Sequence, residues 1–490
     1  MSTDKLIGKI IAFIQEKHPD AYLVGGCVRD RLMGREIKDF DFVVTRDAIP
    51  LGRELADRFR GAFVVLDEQR DFSRVVFRDF YVDLARMVGK DLMEDLSHRD
   101  FTINAMAVRL EDWEKDPPPV IDPHGGREDL KARVIRRLSP HSFLEDPCRI
   151  LRAIRISAQP RFEIEPETLR EMAEHAPRLA LVSRERLRDE LAFILAERDS
   201  TRYIRLMDEL GILKELFPEL EPLKGLFQSY PHHLDCFRHT LETLSRLEWL
   251  LEELKNPEAE GPGQALSAHL SGMQENILGH LEREIVAGRK ALIALKMAVL
   301  LHDLGKPYTL TVDERGTHFY GHEREGATIA ADVMERFRFS SKEVKGVYTI
   351  VLNHMRPALL AQEGPLSRRA IHRFWRDVGD WGVETCLLSL ADHLATWMED
   401  LIPERWEGRV RVAGELLTAY FNHREEILPK PVVRGDELME ALGIKPGPIV
   451  GKLLKVVQEA QAEGKVRAKE EAIELARRAL ESGEVKVWEP

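Results

Sequence analysis

The stretch Asp39-Phe40-Asp41-Phe42-Val43-Val44, set behind the turn Gly25-Gly26-Cys27-Val28-Arg29-Asp30, constrains the fold more than any other in the chain. Charged and apolar residues alternate there, and successive side chains of an extended strand point to opposite faces. Asp39 and Asp41 therefore project together while Phe40, Phe42 and Val44 face a core. Adjacent carboxylates suit a hard cation such as Mg²⁺, which takes one or two of them together with substrate phosphates. The glycines at 25 and 26 let backbone amides approach those phosphates. An ordinary hairpin with two solvated aspartates satisfies the same local pattern, so the pair needs company from elsewhere in the chain.

Residues 1 to about 110 mix strand-like runs (Ala21 to Val24, Phe40 to Val44, Ala62 to Leu66, Val75 to Leu84) with helical stretches, which predicts a mixed-sheet domain. After Pro117-Pro118-Pro119 the pattern turns helical. Asp129 to Leu138, Pro147 to Ala158, Pro166 to Ala176 and Arg184 to Glu197 carry apolar residues at spacings of three and four, and strands essentially vanish. A turn around Ser229-Tyr230-Pro231 opens a histidine-rich region, Asn256 to Gly263 reads as a loop, and residues beyond about 425 form a helical tail.

At 490 residues the chain exceeds the size at which one core stops growing. The expected fold class is α+β, with a mixed-sheet domain over 1–130 followed by all-α segments over 131–195, 196–230, 231–415 and 416–490. The net charge of −12 argues against a uniformly basic surface. Between Arg127 and Arg188, however, 14 Lys+Arg face 10 Asp+Glu, and 13 of those cations are arginine. Arginine's planar fork suits phosphates and base edges, and an ion-paired helix face accounts for the excess equally well. Cys27, Cys148, Cys236 and Cys386 lie far apart with no CxxC pair, against a disulfide framework or zinc ribbon. No apolar run approaches the roughly 20 residues that span a membrane, so no membrane partner and a cytoplasmic location are expected.

Asp39 and Asp41 gain company in His98-Arg99-Asp100-Phe101-Thr102-Ile103-Asn104-Ala105, Asp122-Pro123-His124-Gly125-Gly126 and Glu145-Asp146-Pro147-Cys148-Arg149. With these motifs, residues 20 to about 225 resemble the class II tRNA nucleotidyltransferases, the CCA-adding enzymes, and their relatives the bacterial poly(A) polymerases. The resemblance implies a polymerase β-like head in which Asp39 and Asp41 hold catalytic Mg²⁺ and Arg99 and Asp100 bind ribose. Glu145, Asp146 and Arg149 would read the incoming CTP or ATP, with Gly25, Gly26, Arg29, Asp30, Asn104, Arg152 and Arg155 completing the nucleotide site. It makes 131–195 a templating neck and 196–230 a body. The tail, 416–490, is expected to meet tRNA through the turn and helix at Gly447 to Leu454, because helix N-termini bind phosphate, and simple packing accounts for that segment equally well. The motif Ser183 to Leu191 would support the template helix. From the residues alone, Asp146 before Pro147 is equally a helix cap, and Asp146 and Arg149, three apart, could present an acceptor and a donor fork to a base.

Two departures stand out. His98 occupies a position where most members carry arginine, and only 15 residues separate Asp83 from Arg99, where complete CCA-adding enzymes carry a flexible loop. In this family a shortened loop accompanies addition of two cytidines only, so partial CC addition is expected, with complete CCA addition, A addition and poly(A) synthesis as alternatives. Asp83 is either a third metal carboxylate or a strand-surface residue.

A second set comprises His239, His302-Asp303, His322, His354 and Asp392. Phe237-Arg238-His239-Thr240, Leu300-Leu301-His302-Asp303-Leu304-Gly305-Lys306, Tyr320-Gly321-His322-Glu323 and Asp392 resemble the HD phosphohydrolases over about 231 to 400. That resemblance implies a metal site of His239, His302, Asp303 and Asp392, with His322 and His354 as candidates for a second ion. Imidazoles mixed with carboxylates suit Mn²⁺, Ni²⁺, Fe²⁺ or Zn²⁺ better than Mg²⁺ alone. The expected activity is phosphoester hydrolysis at tRNA ends, against an inactive helical scaffold. Regulatory nucleotidyltransferase/HD enzymes also join these two domains, but they usually add small ligand-sensing domains for which this tail is too short.

Overall fold

The computed structural model describes residues 3–158, 162–256, 260–314, 316–362 and 364–482. Part of the loop expected at 256–263 and the end of the tail, 483–490, lie outside the described residues. The chain forms two compact units, Met1–Ile194 with Leu206–Leu216, and Leu195–Arg205 with Phe217–Pro490.

The first unit is built on a six-stranded sheet of β1 (Tyr22–Val24), β2 (Asp39–Val44), β3 (Ala62–Asp67), β4 (Phe72–Val76), β5 (Tyr81–Arg86) and β6 (Ala107–Arg109), in the order β3-β4-β5-β2-β1-β6. Only β2 and β5 run parallel, and the crossover this requires is supplied by the helix Ala48–Phe59 and the β3–β4 hairpin. The registers pair Asp41 with Asp83 and Asp83 with Arg74, so these three side chains emerge on one face. Phe40, Phe42 and Val44 are buried on the other face, as the alternation requires.

Three local expectations are corrected. Val75 to Leu84 is a hairpin rather than one strand: Phe77 N donates to Phe80 O at 2.9 Å and the two rings stack at 4.8 Å, reversing the chain. The helix expected over Asp129 to Leu138 ends at Ala132, because Arg133 adopts a left-handed φ of 58°. Strands also persist beyond the head, with Val134–Ile135 pairing Glu163–Ile164 and short hairpins at Glu284–Val286/Arg289–Lys290 and Thr311–Asp313/Gly316–His318. Runs of two or three residues are too short for a periodicity to register.

Arg149–Ser157 is a helix that buries Ile150, Leu151, Ala153, Ile154 and Ile156 and keeps Arg149, Arg152 and Arg155, at steps of three, on the opposite side. In the second unit the helices Ala291–Leu301 and Gly382–Trp397 are buried on nearly every side, which is why neither shows an apolar stripe. The tail helices Gly435–Leu442, Pro448–Ala462 and Lys469–Glu481 close on their own small core, including Val433, Leu438, Leu453, Val457 and Ala476.

Glu459 fastens this tail to the helix Arg368–Val378, accepting from Arg369 at 2.8 Å, Arg373 at 2.7 Å and Arg376 at 3.0 Å. Burial pushes its carboxyl up, but the bonds from Arg373 and Arg369 outweigh that and bring it to about 2. Because the folded value lies below the ordinary 4.5, this stabilisation is complete above pH 4.5 and is lost as pH falls toward 2. Pepsin cleavage within the tail is therefore expected to accelerate across that interval. A Glu459→Gln chain should lack the step, and an unchanged step in that variant would remove Glu459 as its cause.

Candidate functional site

In the first unit a cavity of about 790 Å³ is lined by Gly25, Gly26, Arg29, Asp30, Asp39, Asp41, Arg99, Asp100, Asn104, Asp146, Arg149, Arg152 and Arg155. Every nucleotide-binding candidate read from the sequence except Glu145 thus shares one space. Gly25 has φ 73°, and a Cβ there would stand 3.0 Å from Arg99 Nη1 and 3.3 Å from Asp41 Oδ2, so the turn needs glycine. A hydrogen-bond chain links the separate motifs. Arg29 Nη1 donates to Asn104 Oδ1 at 2.8 Å, Asn104 Nδ2 to Asp100 Oδ1 at 3.0 Å, and Arg152 Nη1 to Asp100 Oδ2 at 3.3 Å. Burial raises the Asp100 carboxyl, but Arg152 and Asn104 outweigh it and hold the group below its usual range. Asp100 is therefore an anion that orders its neighbours.

Asp39, Asp41 and Asp83 place carboxylate oxygens within 4.8 Å of one another. Burial first, then the Asp39 and Asp83 charges, push the Asp41 carboxyl up to about 7. Mutually repelling oxygens on one sheet face fit a divalent cation, which takes such ligands and relieves the repulsion. Asp83 is the exception within the trio, because Arg74 Nε and Nη2 hold its two oxygens at 2.7 and 2.8 Å. Arg74 also reaches to 3.8 Å from Asp39. The sequence reading missed Arg74. Its signal was a cation inside an apolar strand, and it meant nothing until the hairpin placed it opposite Asp83.

Asp146 lies three residues before the helix Arg149–Ser157 in an extended conformation, and its Oδ1 accepts from Cys148 N at 3.2 Å; the cap residue itself is Cys148, which the expectation of a cap at Asp146 misplaced. Its Oδ2 accepts from Arg186 Nη2 at 2.6 Å, and Asp146 lines the cavity. Arg149 Nη2 donates to the His98 carbonyl at 2.6 Å and its Nη1 to Ser142 Oγ at 3.0 Å, so the His98 position acts here through its backbone. Glu190, from the motif at Ser183 to Leu191, braces the same helix by pairing Arg152 at 3.2 Å and Arg155 at 2.7 Å.

The link from β5 to Arg99 is short and bonded throughout. Residues 87–91 lead into the helix Leu92–Ser97, whose cap Asp91 accepts from Glu94 N at 3.0 Å. Buried Asp95, the other residue missed in the sequence, accepts from Val88 N at 2.9 Å and from Arg99 Nη2 at 3.0 Å. It ties both ends of the link together.

In the second unit, five helices converge His239, His302, Asp303, His322, His354 and Asp392. Two groups have ligand atoms within 4.8 Å of one another: His239, His302 and Asp392, and Asp303, His322 and His354. Asp303 faces both, its Oδ2 lying 3.3 Å from His302 Nε2 and its Oδ1 3.8 Å from His322 Nε2. His302, His322 and His354 each set Nδ1 against a carbonyl three residues earlier, Val299, Phe319 and Val351, at 2.8, 2.8 and 2.6 Å. A carbonyl only accepts, so Nδ1 carries a proton in each ring, and in the neutral rings Nε2 presents its lone pair. His302 Nε2 is buried without a hydrogen bond, and burial pushes His354 down to about 3, which keeps its ring neutral. This donor set fits divalent transition metals. Gly305 is required by close approach, since a Cβ would meet the His322 carbonyl at 2.1 Å.

Comparison with known proteins bears on both units. Models of the poly(A) polymerase head domain, of the RNA- and SrmB-binding region of polymerase A, of the HD domain and of tRNA nucleotidyltransferase domain 2 match residues 21–136, 161–224, 236–397 and 427–476. The chain is 33% identical to the A-adding tRNA nucleotidyltransferase of Deinococcus radiodurans, over 94% of this chain and 96% of that protein. It is 32% identical to the CC-adding tRNA nucleotidyltransferase of Thermus thermophilus, over 92% of each. Its fold is similar to that of the Thermotoga maritima CCA-adding enzyme complexed with tRNA, at a TM-score of 0.54 and 23% identity over 97% of this chain and 95% of that one. Among the described residues no helix is long and apolar enough to cross a membrane. With relatives at this identity spanning nearly its whole length, the chain belongs to the tRNA nucleotidyltransferase family, and it carries a poly(A) polymerase-type head together with an HD domain.

Proposed function

We propose that this protein transfers CMP from CTP to the 3′ end of tRNA, twice, and then stops. The observation that carries the stop is the link after β5, closed by Asp91 and Asp95 into a short helix where a flexible loop would otherwise remodel the site for ATP. Asp39 and Asp41 would hold the divalent ion, Mg²⁺ in this reading. An ion held there would supply charge neutralisation for the triphosphate and lower the pKa of the attacking hydroxyl. Arg99 and Asp100 orient the ribose, and the Gly25–Gly26 turn lets the triphosphate approach the backbone. Asp146 and Arg149 read the base, exchanging their present bonds to Arg186, Ser142 and the His98 carbonyl for bonds to cytosine.

That exchange predicts how a template variant behaves. Arg149→Ala should lower discrimination for CTP over UTP and ATP by about tenfold to a hundredfold while the rate with the best nucleotide falls less, measured by single-nucleotide incorporation. Selectivity equal to the parent's would dismiss Arg149 as a reader. The stop is tested directly with tRNA already ending in CC. Labelled ATP should add nothing to it, and efficient AMP addition would overturn the proposal in favour of an A-adding or complete enzyme.

The histidine cluster supports a second activity, phosphoester hydrolysis at RNA ends. Three rings held by their own carbonyls present free Nε2 atoms around Asp303, an arrangement with no evident structural purpose. Divalent Mn²⁺, Ni²⁺ or Fe²⁺ held there would supply Lewis acidity toward the phosphate. Lys306, 2.7 Å from Asp303, adds a cation at the same place.

A further inference from the structure

The helix Arg184–Ala196 buries Leu187, Leu191 and Ile194 but leaves Phe193 outside, 56% exposed. Among the described residues of the first unit it is the most exposed aromatic ring. Its place on the helix is specific. Phe193 follows Glu190 by three residues, one turn further along the face that meets the arginine row of Arg149–Ser157. Glu190 pairs there with Arg152 at 3.2 Å and with Arg155 at 2.7 Å. The Arg155 guanidinium lies over the Phe193 ring, 5.2 Å from its centroid.

Arg155 also lines the nucleotide cavity that holds Asp39 and Asp41. Its charge reaches Asp39: burial and then Asp83 push that carboxyl up, while Arg74 and Arg155 draw it down. The exposed ring is thus one side chain removed from the carboxylate pair. Arg149 begins the row six residues earlier, about 9 Å away along the helix axis. The row therefore joins the place where the incoming base is read to an aromatic and cationic surface beside the carboxylates.

An enzyme that adds two nucleotides in succession has a particular need at such a place. The nucleotide offering its 3′-hydroxyl changes between the steps, from whatever base ends the truncated tRNA to a cytosine. A subsite built to hydrogen-bond one base edge rejects a base that lacks the matching groups. Stacking tolerates every base, because each has a π-face, and a phenyl ring carries no polar group with which to choose.

We propose that Phe193, backed by Arg155, is the stacking platform for the base of the RNA's 3′-terminal nucleotide, and so positions the attacking hydroxyl near Asp39 and Asp41. This rests on reading the cavity as the transferase site, and it extends that reading from the incoming nucleotide to the strand that receives it. A contact between two copies of the chain would cover the ring, but it would leave unexplained a guanidinium shared between ring and cavity.

The test compares the parent with Phe193→Ala, Phe193→Leu and Phe193→Tyr on two acceptors, a tRNA lacking its last three nucleotides and the same tRNA with the base of its terminal nucleotide removed. The donor is CTP, or ATP on acceptors ending in CC if the parent adds only AMP. Phe193→Ala should raise KM for the intact acceptor about tenfold and leave KM for the donor nucleotide at the parent's value. Phe193→Leu, which keeps apolar bulk without a ring, should show the same defect, and Phe193→Tyr should match the parent. Removing the terminal base should weaken the parent by a similar factor, and Phe193→Ala should add nothing to that loss. An unchanged acceptor KM in Phe193→Ala, or equal rises on both acceptors, would overturn the platform while the transferase reading stands. A parent that adds neither nucleotide to an intact acceptor would remove that reading and the platform with it.

Discussion

Replacing Asp41 with alanine is expected to reduce nucleotide incorporation at least about a thousandfold while the protein folds as well as its parent. The stability half of this expectation comes from electrostatics. Asp41 is crowded by Asp39 and Asp83, and burial with their charges already pushes its carboxyl up to about 7. Removing a charge from a repelling trio costs the fold little and can even stabilise it. Asp39→Ala should behave in the same way. Arg74→Ala makes the contrast, because it strips Asp83, 5% exposed, of both its bonds and should lower thermal stability as well as activity. Incorporation assays alongside thermal unfolding separate the cases. Full activity in Asp39→Ala and Asp41→Ala chains would exclude the carboxylate pair from catalysis.

The second large effect is expected in the HD domain. His302→Ala should abolish metal-dependent phosphoester cleavage, again by at least about a thousandfold, and should lower the metal retained per chain. His354→Ala should lose metal too, since both rings are pinned through Nδ1 with Nε2 turned toward Asp303 and its neighbours. Nucleotide incorporation by the same preparations should stay at the parent's level, because the two sites lie in separate compact units. Measuring metal content, hydrolysis and incorporation on one preparation makes the outcome decisive. Unchanged metal content in both variants would mean that the cluster is not a metal site.

What could be read ahead of the structure followed from strong local periodicities. Alternation across Asp39 to Val44 set the two carboxylates on one face, and three-residue steps set Arg149, Arg152 and Arg155 on one side of a helix. What stayed hidden depended on pairing between distant segments. Arg74 acquires meaning only through its register with Asp83, and Asp95 only by folding back onto Val88 and Arg99. Periodicity specifies a face but not the partner on it. The break at Arg133 was invisible for another reason, since a left-handed arginine at the end of a helix has no compositional mark. Within the histidine set the residues that cluster were legible, whereas the position of Asp303 between the two triads came only with the geometry.

The central claim is a protein-templated site that adds two cytidines and no adenosine, with a short ordered link in place of a flexible loop. It is tested most directly by extending a tRNA that lacks its last three nucleotides and reading product length at single-nucleotide resolution. With CTP alone the product should grow by two nucleotides, and adding ATP should leave that length unchanged. Growth by a third nucleotide when ATP is present, or extension by ATP alone, would contradict the account.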